Sequence, residues 1–325
     1  MLVDGKWTAD WQPVQKADDK GRFVRQVSGF RNWITPDGAA GPTGQGGYKA
    51  EAGRYHLYVA YICPWASRTL IARKLKKLEA FIEVTVVNPR LGDQGWEFGG
   101  FEGADKDPLH GASFMHELYT RADAHYTGRA TVPVLWDTKT DTLVNNESAD
   151  IVRMFDTAFE GLAPETPRLR PEDIEADVEA ETARIYDAYN NGVYKAGFAS
   201  SQAAYDEAVA GVFAEMDRME TVLSDGRPWF HGDRLTETDI RIFVTSIRFD
   251  VAYHGLFKTN LKMLRDYPAL YAHMVRMLNQ PGVAETVDLD HIKAGYYSIK
   301  RLNPPLIVPK GPEDSYRLLA EARCH

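Results

Sequence analysis

Cys63 is one of two cysteines in 325 residues, and the other, Cys324, is the penultimate residue. The apolar run YHLYVAYI precedes Cys63 and Pro64 follows it. A strand therefore delivers the thiol to the start of a helix, where first-turn amides and the helix dipole favour a thiolate. Arg68, one turn later, adds positive potential. The competing reading is a buried structural cysteine, because a free thiol packs as a small hydrophobe. Position 66, where a C-x-x-C pair would place its resolving thiol, is alanine. A mixed disulfide on Cys63 then needs an external thiol to resolve it. Cys324 reads as a terminal thiol without a resolving role.

Two further stretches carry chemistry. In TVPVL, Pro133 interrupts a strand-like run, which places it at an edge or in an unusual turn. A cis bond before Pro133 would turn the Val132 amide and carbonyl toward a ligand; a trans proline at an edge is the alternative. In NNESADI, Glu147 and Ser148 stand at a helix start, where exposed amides suit either capping alone or a ligand carboxylate. Other site classes find little support. GDQGWEFGG lacks the context of a dinucleotide loop, no Walker A string occurs, and HELYT lacks the second histidine of H-E-x-x-H. The nine histidines are mostly isolated, which argues against a metal cluster.

The elements that must hold these residues follow from periodicity. A strand (YHLYVAYI), a helix (ASRTLIARKLKKL) and a second strand (IEVTVVN) form a βαβ unit. VPVLWD and TLVN form a hairpin, and ESADIVRMFDTAF a helix. Strand signals then largely stop. Tyr205 to Leu223 and Ile240 to Val251 repeat apolar residues at helical spacing, and a further helix starts at Pro268. Thr236 caps the second of these, with Asp239 answering from the third helical position. The expected organisation is an extended leader over 1–54, an α/β domain over 55–158, a Pro-rich linker over 159–172, an all-helical domain over 173–290 and an irregular tail over 291–325.

A net charge of −8, with 44% apolar residues, describes a folded chain without a general surface for nucleic acid or anionic membranes. No stretch reaches 18 uninterrupted apolar residues and the opening is polar, so a cytoplasmic protein with no membrane partner is expected. RKLKK occupies part of one amphipathic helix and reads as a solvated face.

Taken together, Cys-Pro at a helix start, VPVL, an ES helix start and a trailing helical domain resemble the cytosolic glutathione transferases. That resemblance implies a thioredoxin-like N-terminal domain followed by an all-helical C-terminal domain. More narrowly, YICPWASRTLIARKLKKL, YTGRATVPVLWD, LVNNESADIVRMF, NNGVYKAGFA and LTETDIRIFVTSIRFDVAYHGLFKTN resemble the glutathionyl-hydroquinone reductases, the Xi class of that superfamily. The similarity runs from about residue 22 to residue 312.

The resemblance implies Cys63 as nucleophile and Trp96, Arg129, Val132, Glu147 and Ser148 as glutathione contacts. Tyr194 and Tyr296 then fall near the aromatic substrate as catalytic residues, with Tyr253 and Trp33 completing its pocket. Read on their own, these are ordinary strand, cap, surface and packing residues. Two departures stand out: Ser67 replaces the family's usual histidine after CPWA, and Gly295-Tyr296-Tyr297 replaces the usual HYY. The implied reaction is glutathione-dependent reduction of glutathionyl-hydroquinones through a Cys63 mixed disulfide. Glutathione is the cosubstrate, without metal, nicotinamide or flavin, and a homodimer is the implied assembly. The alternatives are a thiol transferase or dehydroascorbate reductase using the same mixed disulfide, and a non-catalytic binding scaffold. Conjugation to electrophiles fits less well, because it normally calls for a hydroxyl where Cys63 stands.

Overall fold

The computed structural model describes residues 1–8, 18–23 and 27–324. These group into two compact units. One holds residues 1–8 and Val27–Pro167, the other residues 18–23 and the chain from Arg168 onward.

The first unit contains a small hairpin, β1 (Leu2–Val3) and β2 (Lys6–Trp7), and then β3 (Tyr55–Val59), α1 (Pro64–Leu75), β4 (Ile82–Val86), α2 (Met115–Ala122), β5 (Val134–Asp137), β6 (Thr142–Asn145) and α3 (Ser148–Thr157). The main sheet has the order β4-β3-β5-β6, with β3 parallel to β4 and the other neighbours antiparallel. Every residue of β3 is buried, which explains why its sequence is apolar on both faces apart from His56 instead of alternating. Helices α1 and α3 pack together, and a buried ion pair between Lys76 and Asp156 at 3.0 Å fixes one end of that contact. Arg54 grips Asp137 with two bonds of 2.8 and 2.6 Å, joining the start of β3 to the end of β5.

The leader is divided instead of being a single extended arm. Its residues 27–54 join the first unit, where Asn32 N donates to Val144 O at 3.0 Å and Arg31 bridges Asn145 beside β6. Residues 18–23 belong to the helical unit, where Arg22 pairs with Glu207 at 2.8 Å and Ser200 N donates to Gly21 O. The physical reason is that polar, glycine-rich chain has no periodic apolar face of its own and takes its order from the backbone groups and ion-pair partners it meets.

The second unit comprises α4 (Glu175–Ile185), α5 (Gly192–Gly197), α6 (Gln202–Leu223), α7 (Glu237–Arg248), α8 (His254–Leu256), α9 (Pro268–Leu278), α10 (Leu289–Tyr297) and α11 (Glu313–Ala322). The expectation of an irregular tail over 291–325 is corrected by α10 and α11. Asp288 caps α10 through His291 N at 2.8 Å, and α11 follows Pro312 with two acidic residues in its first turn. Only the proline-rich chain between them is irregular. Among the described residues no helix is long and apolar enough to cross a membrane, and no cluster of His, Cys, Asp or Glu is arranged to hold a metal.

Candidate active site

Cys63 is the residue immediately before α1, in an extended conformation, half-buried. Its amide donates to Ala60 O at 3.0 Å and its carbonyl accepts from Ser67 N at 3.0 Å, so the helix begins tightly around it. Pro64 suits the first helical position and brings no amide of its own. The thiol donates to Val132 O at 3.6 Å, which places the sulfur beside the backbone of the TVPVL segment. The Arg68 guanidinium is buried and lies 5.8 Å over the Trp65 ring. Cys63 and Cys324 are both free thiols.

The Val132–Pro133 bond is cis, and Pro133 directly precedes β5, an inner strand of the sheet. Of the two places open to this proline, it takes the turn and not the edge. Tyr119 holds the segment: its hydroxyl accepts from Thr131 N at 3.1 Å and donates to Thr131 O at 3.0 Å. Asn146 Nδ2 donates to the same hydroxyl at 3.0 Å. This buried clamp has no sequence signature beyond the paired asparagines before Glu147, which read there only as a lead-in. Arg129 is half-buried on the same segment. Trp96 is half-buried in the loop before α2, its carbonyl accepting from Met115 N at 2.9 Å.

At the start of α3, Glu147 Oε1 accepts from Ala149 N at 3.2 Å and Oε2 accepts from Ser28 Oγ at 2.9 Å. Glu147 N donates to Asn145 Oδ1 at 2.7 Å. Ser148 is buried, and its Oγ has no hydrogen-bond partner among the described residues. A buried hydroxyl in that condition costs about 1–3 kcal/mol unless a ligand or water engages it. Asp150 in the first turn is bound by Arg31, one of the two bonds being 2.9 Å. Trp33 donates from its indole to Thr43 Oγ1 at 2.8 Å and packs on Gly41, where a Cβ would lie 2.4 Å from the ring. Its visible work is to fold the leader loop on itself.

The helical unit gathers the three tyrosines. Tyr296 is buried at the end of α10, and its hydroxyl is 2.5 Å from that of Tyr194 and 2.7 Å from that of Tyr253. Burial pushes the Tyr296 phenol well above its ordinary value, with the neighbouring phenols acting in the same direction and Arg248 opposing them. The cluster thus presents a neutral phenol at neutral pH. Two π-helical turns bring the partners in: Phe249–Tyr253 ends with Tyr253, and Tyr186–Asn190 leads into α5, which carries Tyr194. Sequence reading picked out the tyrosines and missed Phe257, whose ring lies 5.2, 5.1 and 5.5 Å from those of Tyr194, Tyr253 and Tyr296. Gly197 was the available signal, since a Cβ there would sit 2.4 Å from the Phe257 ring. Thr236 and Asp239 form the capping box of α7.

Comparison with known proteins agrees with this arrangement. The glutathione S-transferase N-terminal domain model matches residues 62–158, and the C-terminal domain model matches residues 202–276. The chain is 50% identical to the glutathionyl-hydroquinone reductase YqjG of Escherichia coli over 96% of this chain and 95% of that protein. The glutathione-bound structure of YqjG superposes with a TM-score of 0.88 at 48% identity, covering 96% of this chain and 95% of that one. The glutathionyl-hydroquinone reductase PcpF of Sphingobium chlorophenolicum is 42% identical over 96% of each chain. The glutathione S-transferase Xi of Phanerochaete chrysosporium gives a TM-score of 0.87 at 48% identity, covering 92% of this chain and 96% of that one. With matches of this extent across both of its units, the chain belongs to the glutathione transferase family, in its Xi class.

Proposed function

We propose that the chain is a glutathionyl-hydroquinone reductase, using glutathione to reduce glutathionyl-hydroquinones to hydroquinones. The observation that carries the reading is the Cys63 thiol at the start of α1, beside the Val132 carbonyl and with alanine at the position of a resolving cysteine. The names of YqjG and PcpF supply the substrate class.

In the first step the Cys63 thiolate attacks the sulfur of the conjugate. The carbon–sulfur bond breaks, its electron pair goes to the ring carbon, and a proton is added there as hydroquinone leaves. Cys63 then carries glutathione as a mixed disulfide. A second glutathione thiolate attacks the glutathione sulfur of that disulfide, regenerating Cys63 and releasing oxidised glutathione. Each turnover thus consumes one glutathione and reduces one ring carbon.

The contacts are those that the family resemblance implies, and the chemistry of the residues suits them. The Val132 backbone pairs with the cysteinyl portion of glutathione. Glu147 takes the γ-glutamyl ammonium, and Ser148 with the first-turn amides of α3 takes the γ-glutamyl carboxylate. The unpartnered Ser148 Oγ supports that placement. Arg129 meets the other carboxylate and Trp96 covers the peptide. Tyr194, Tyr253 and Tyr296 receive the aromatic ring, and a neutral phenol of that cluster supplies the proton. A reducing compartment, the cytoplasm, suits a catalytic thiol, and a homodimer is the assembly implied by the family resemblance.

The test compares the wild type with Cys63→Ala on a synthetic glutathionyl-hydroquinone plus glutathione, measuring hydroquinone and oxidised glutathione together. The reading expects equal amounts of both products from the wild type, a Cys63–glutathione adduct under trapping conditions, and neither product from the variant. Equal turnover by the variant overturns it.

A further inference from the structure

The hairpin β1–β2 is joined to two separate stretches of chain, one leading to Arg129 and the other to Trp96. On the first side, Leu2 N donates to Gly128 O at 2.9 Å and Gly128 N returns the bond to Leu2 O at 3.1 Å. Gly5 N donates to Tyr126 O at 3.0 Å and Asp4 N to Thr127 Oγ1 at 2.9 Å. On the second side, the Trp7 indole donates to Asp93 O at 3.0 Å and stacks on His116, with centroids 4.6 Å apart and planes 20° from parallel. Gly95, next to Trp96, has φ +79°, and a Cβ there would lie 3.1 Å from the Trp7 ring. His116 lies 3.0 Å from Gln94 Oε1 through Nε2, and its neighbour Met115 holds the Trp96 carbonyl.

We propose that Trp7 is a positioning residue for the glutathione site, with residues 1–8 acting as a brace that fixes the Trp96 loop relative to the Arg129 segment. The inference rests on the assignment of Trp96 and Arg129 to glutathione made above. Trp96 is flanked on both sides by chain that Trp7 touches: Gly95 before it in sequence, and the first turn of α2 that holds its carbonyl. Strands of two residues have no stability of their own. The hairpin keeps its shape through these contacts, and in return the loop of Asp93 to Trp96 loses freedom that glutathione would otherwise have to remove on binding.

The experiment measures the dissociation constant of S-methylglutathione, which cannot react with Cys63, for the full chain and for Trp7→Ala, Trp7→Phe, Trp96→Ala and the Trp7→Ala/Trp96→Ala double variant. Loss of preorganisation predicts about a fivefold weaker constant for Trp7→Ala, with Trp7→Phe within about twofold of the wild type because it keeps the stack. If Trp7 acts through Trp96, the double variant binds no more weakly than Trp96→Ala alone. Costs that multiply in the double variant, or a Trp7→Ala protein with a lowered melting temperature and unchanged affinity, overturn the brace while leaving the glutathione reading in place. Unchanged affinity in Trp96→Ala overturns the Trp96 assignment and the brace with it. Should Trp7→Ala fail to fold, His116→Ala removes the stack while Trp7 keeps its bond to Asp93. A two- to threefold weakening there supports the brace by the same preorganisation argument, and no change overturns it.

Discussion

Helices α3 and α7 both begin in the interior, and both are announced in the sequence by short polar residues, yet their first turns are finished in opposite ways. At α7, Asp239 Oδ2 accepts from Thr236 N at 2.8 Å and from Thr236 Oγ1 at 3.0 Å. Asp239 Oδ1 accepts from Phe230 N at 2.8 Å and lies 2.8 Å from His273 Nε2. Thr236, Asp239 and His273 are all fully buried, and the carboxylate is surrounded by partners from its own unit. At α3 the Glu147 side chain takes one amide, while Ser148 Oγ, equally enclosed, has none among the described residues. A closed cap of the first kind contributes stability. An enclosed donor without an internal partner is stability forgone, and a ligand carboxylate is the chemistry that would recover it.

The start of α1 extends the contrast and gives the largest expected effect. Cys63 offers the helix no side-chain cap, so replacing its sulfur should leave the fold nearly untouched while removing the reaction. Cys63→Ser is predicted to lower turnover on a glutathionyl-hydroquinone by about a thousandfold or more, the scale seen when a nucleophile is removed. Its melting temperature should stay within about 2 °C of the wild type. A stable variant with wild-type turnover would remove α1 from the comparison. Asp239→Ala should do the reverse. Stripping the acceptor from four buried partners is expected to cost about 3–4 kcal/mol in urea unfolding. The affinity of the folded fraction for S-methylglutathione should be unchanged. A loss below about 1 kcal/mol would mean the closed cap is not the stabilising device described.

Much of this contrast was readable in advance at α7 and little of it at α3. Thr236 and Asp239 stand at capping-box spacing before an apolar helical run, and local geometry alone determines how they bond. Glu147 and Ser148 carry the same kind of signal, but whether a hydroxyl finds a partner depends on chain far away: Ser28 and Arg31 in the leader, and Tyr119 on α2. The βαβ unit, the hairpin and the main helices followed from periodicity, while the order of the strands in the sheet came only with the structure. The division of the leader did not follow from periodicity either, since residues 18–23 and 27–54 take their places through backbone bonds and isolated long-range pairs, such as Arg22 with Glu207 and Arg31 with Asp150, that no local periodicity encodes. Helix α11 was hidden behind the prolines that precede it. The π-helical turns that deliver Tyr194 and Tyr253 have no period to detect.

Acid provides a third way to separate a stability device from a binding device. His56 lies within β3, its Nε2 2.7 Å from Thr85 Oγ1 on β4, and burial lowers its pKa from the usual 6.5 to about 4. The unfolded chain therefore takes up a proton that the native chain refuses between those values. The stability associated with neutral His56 is complete above about pH 6.5 and declines as pH falls to about 4, by about 2–3 kcal/mol. Urea unfolding at pH 7 and pH 4.5 should show this drop in the wild type and a smaller one in His56→Gln. An identical drop in both would assign the acid sensitivity to other groups.

The smallest effect is the most discriminating, because it asks whether the open start of α3 exists for a ligand. Ser148→Ala deletes a hydroxyl that bonds nothing within the described structure, so stability should hold where water engages that hydroxyl and otherwise rise, by up to about 1–3 kcal/mol. If that hydroxyl receives the γ-glutamyl carboxylate, the dissociation constant for S-methylglutathione should rise about five- to tenfold, the worth of one hydrogen bond to a charged group. Turnover at saturating glutathione should move little, because the contact is made equally before and during the chemistry. A Ser148→Ala protein that is markedly less stable with unchanged affinity would show that α3 is closed by a partner of its own, and the two helix starts would then be alike. Weaker binding at unchanged or raised stability is the result that holds them apart: at α3 the enclosed hydroxyl left unbonded would then be the place a ligand carboxylate takes.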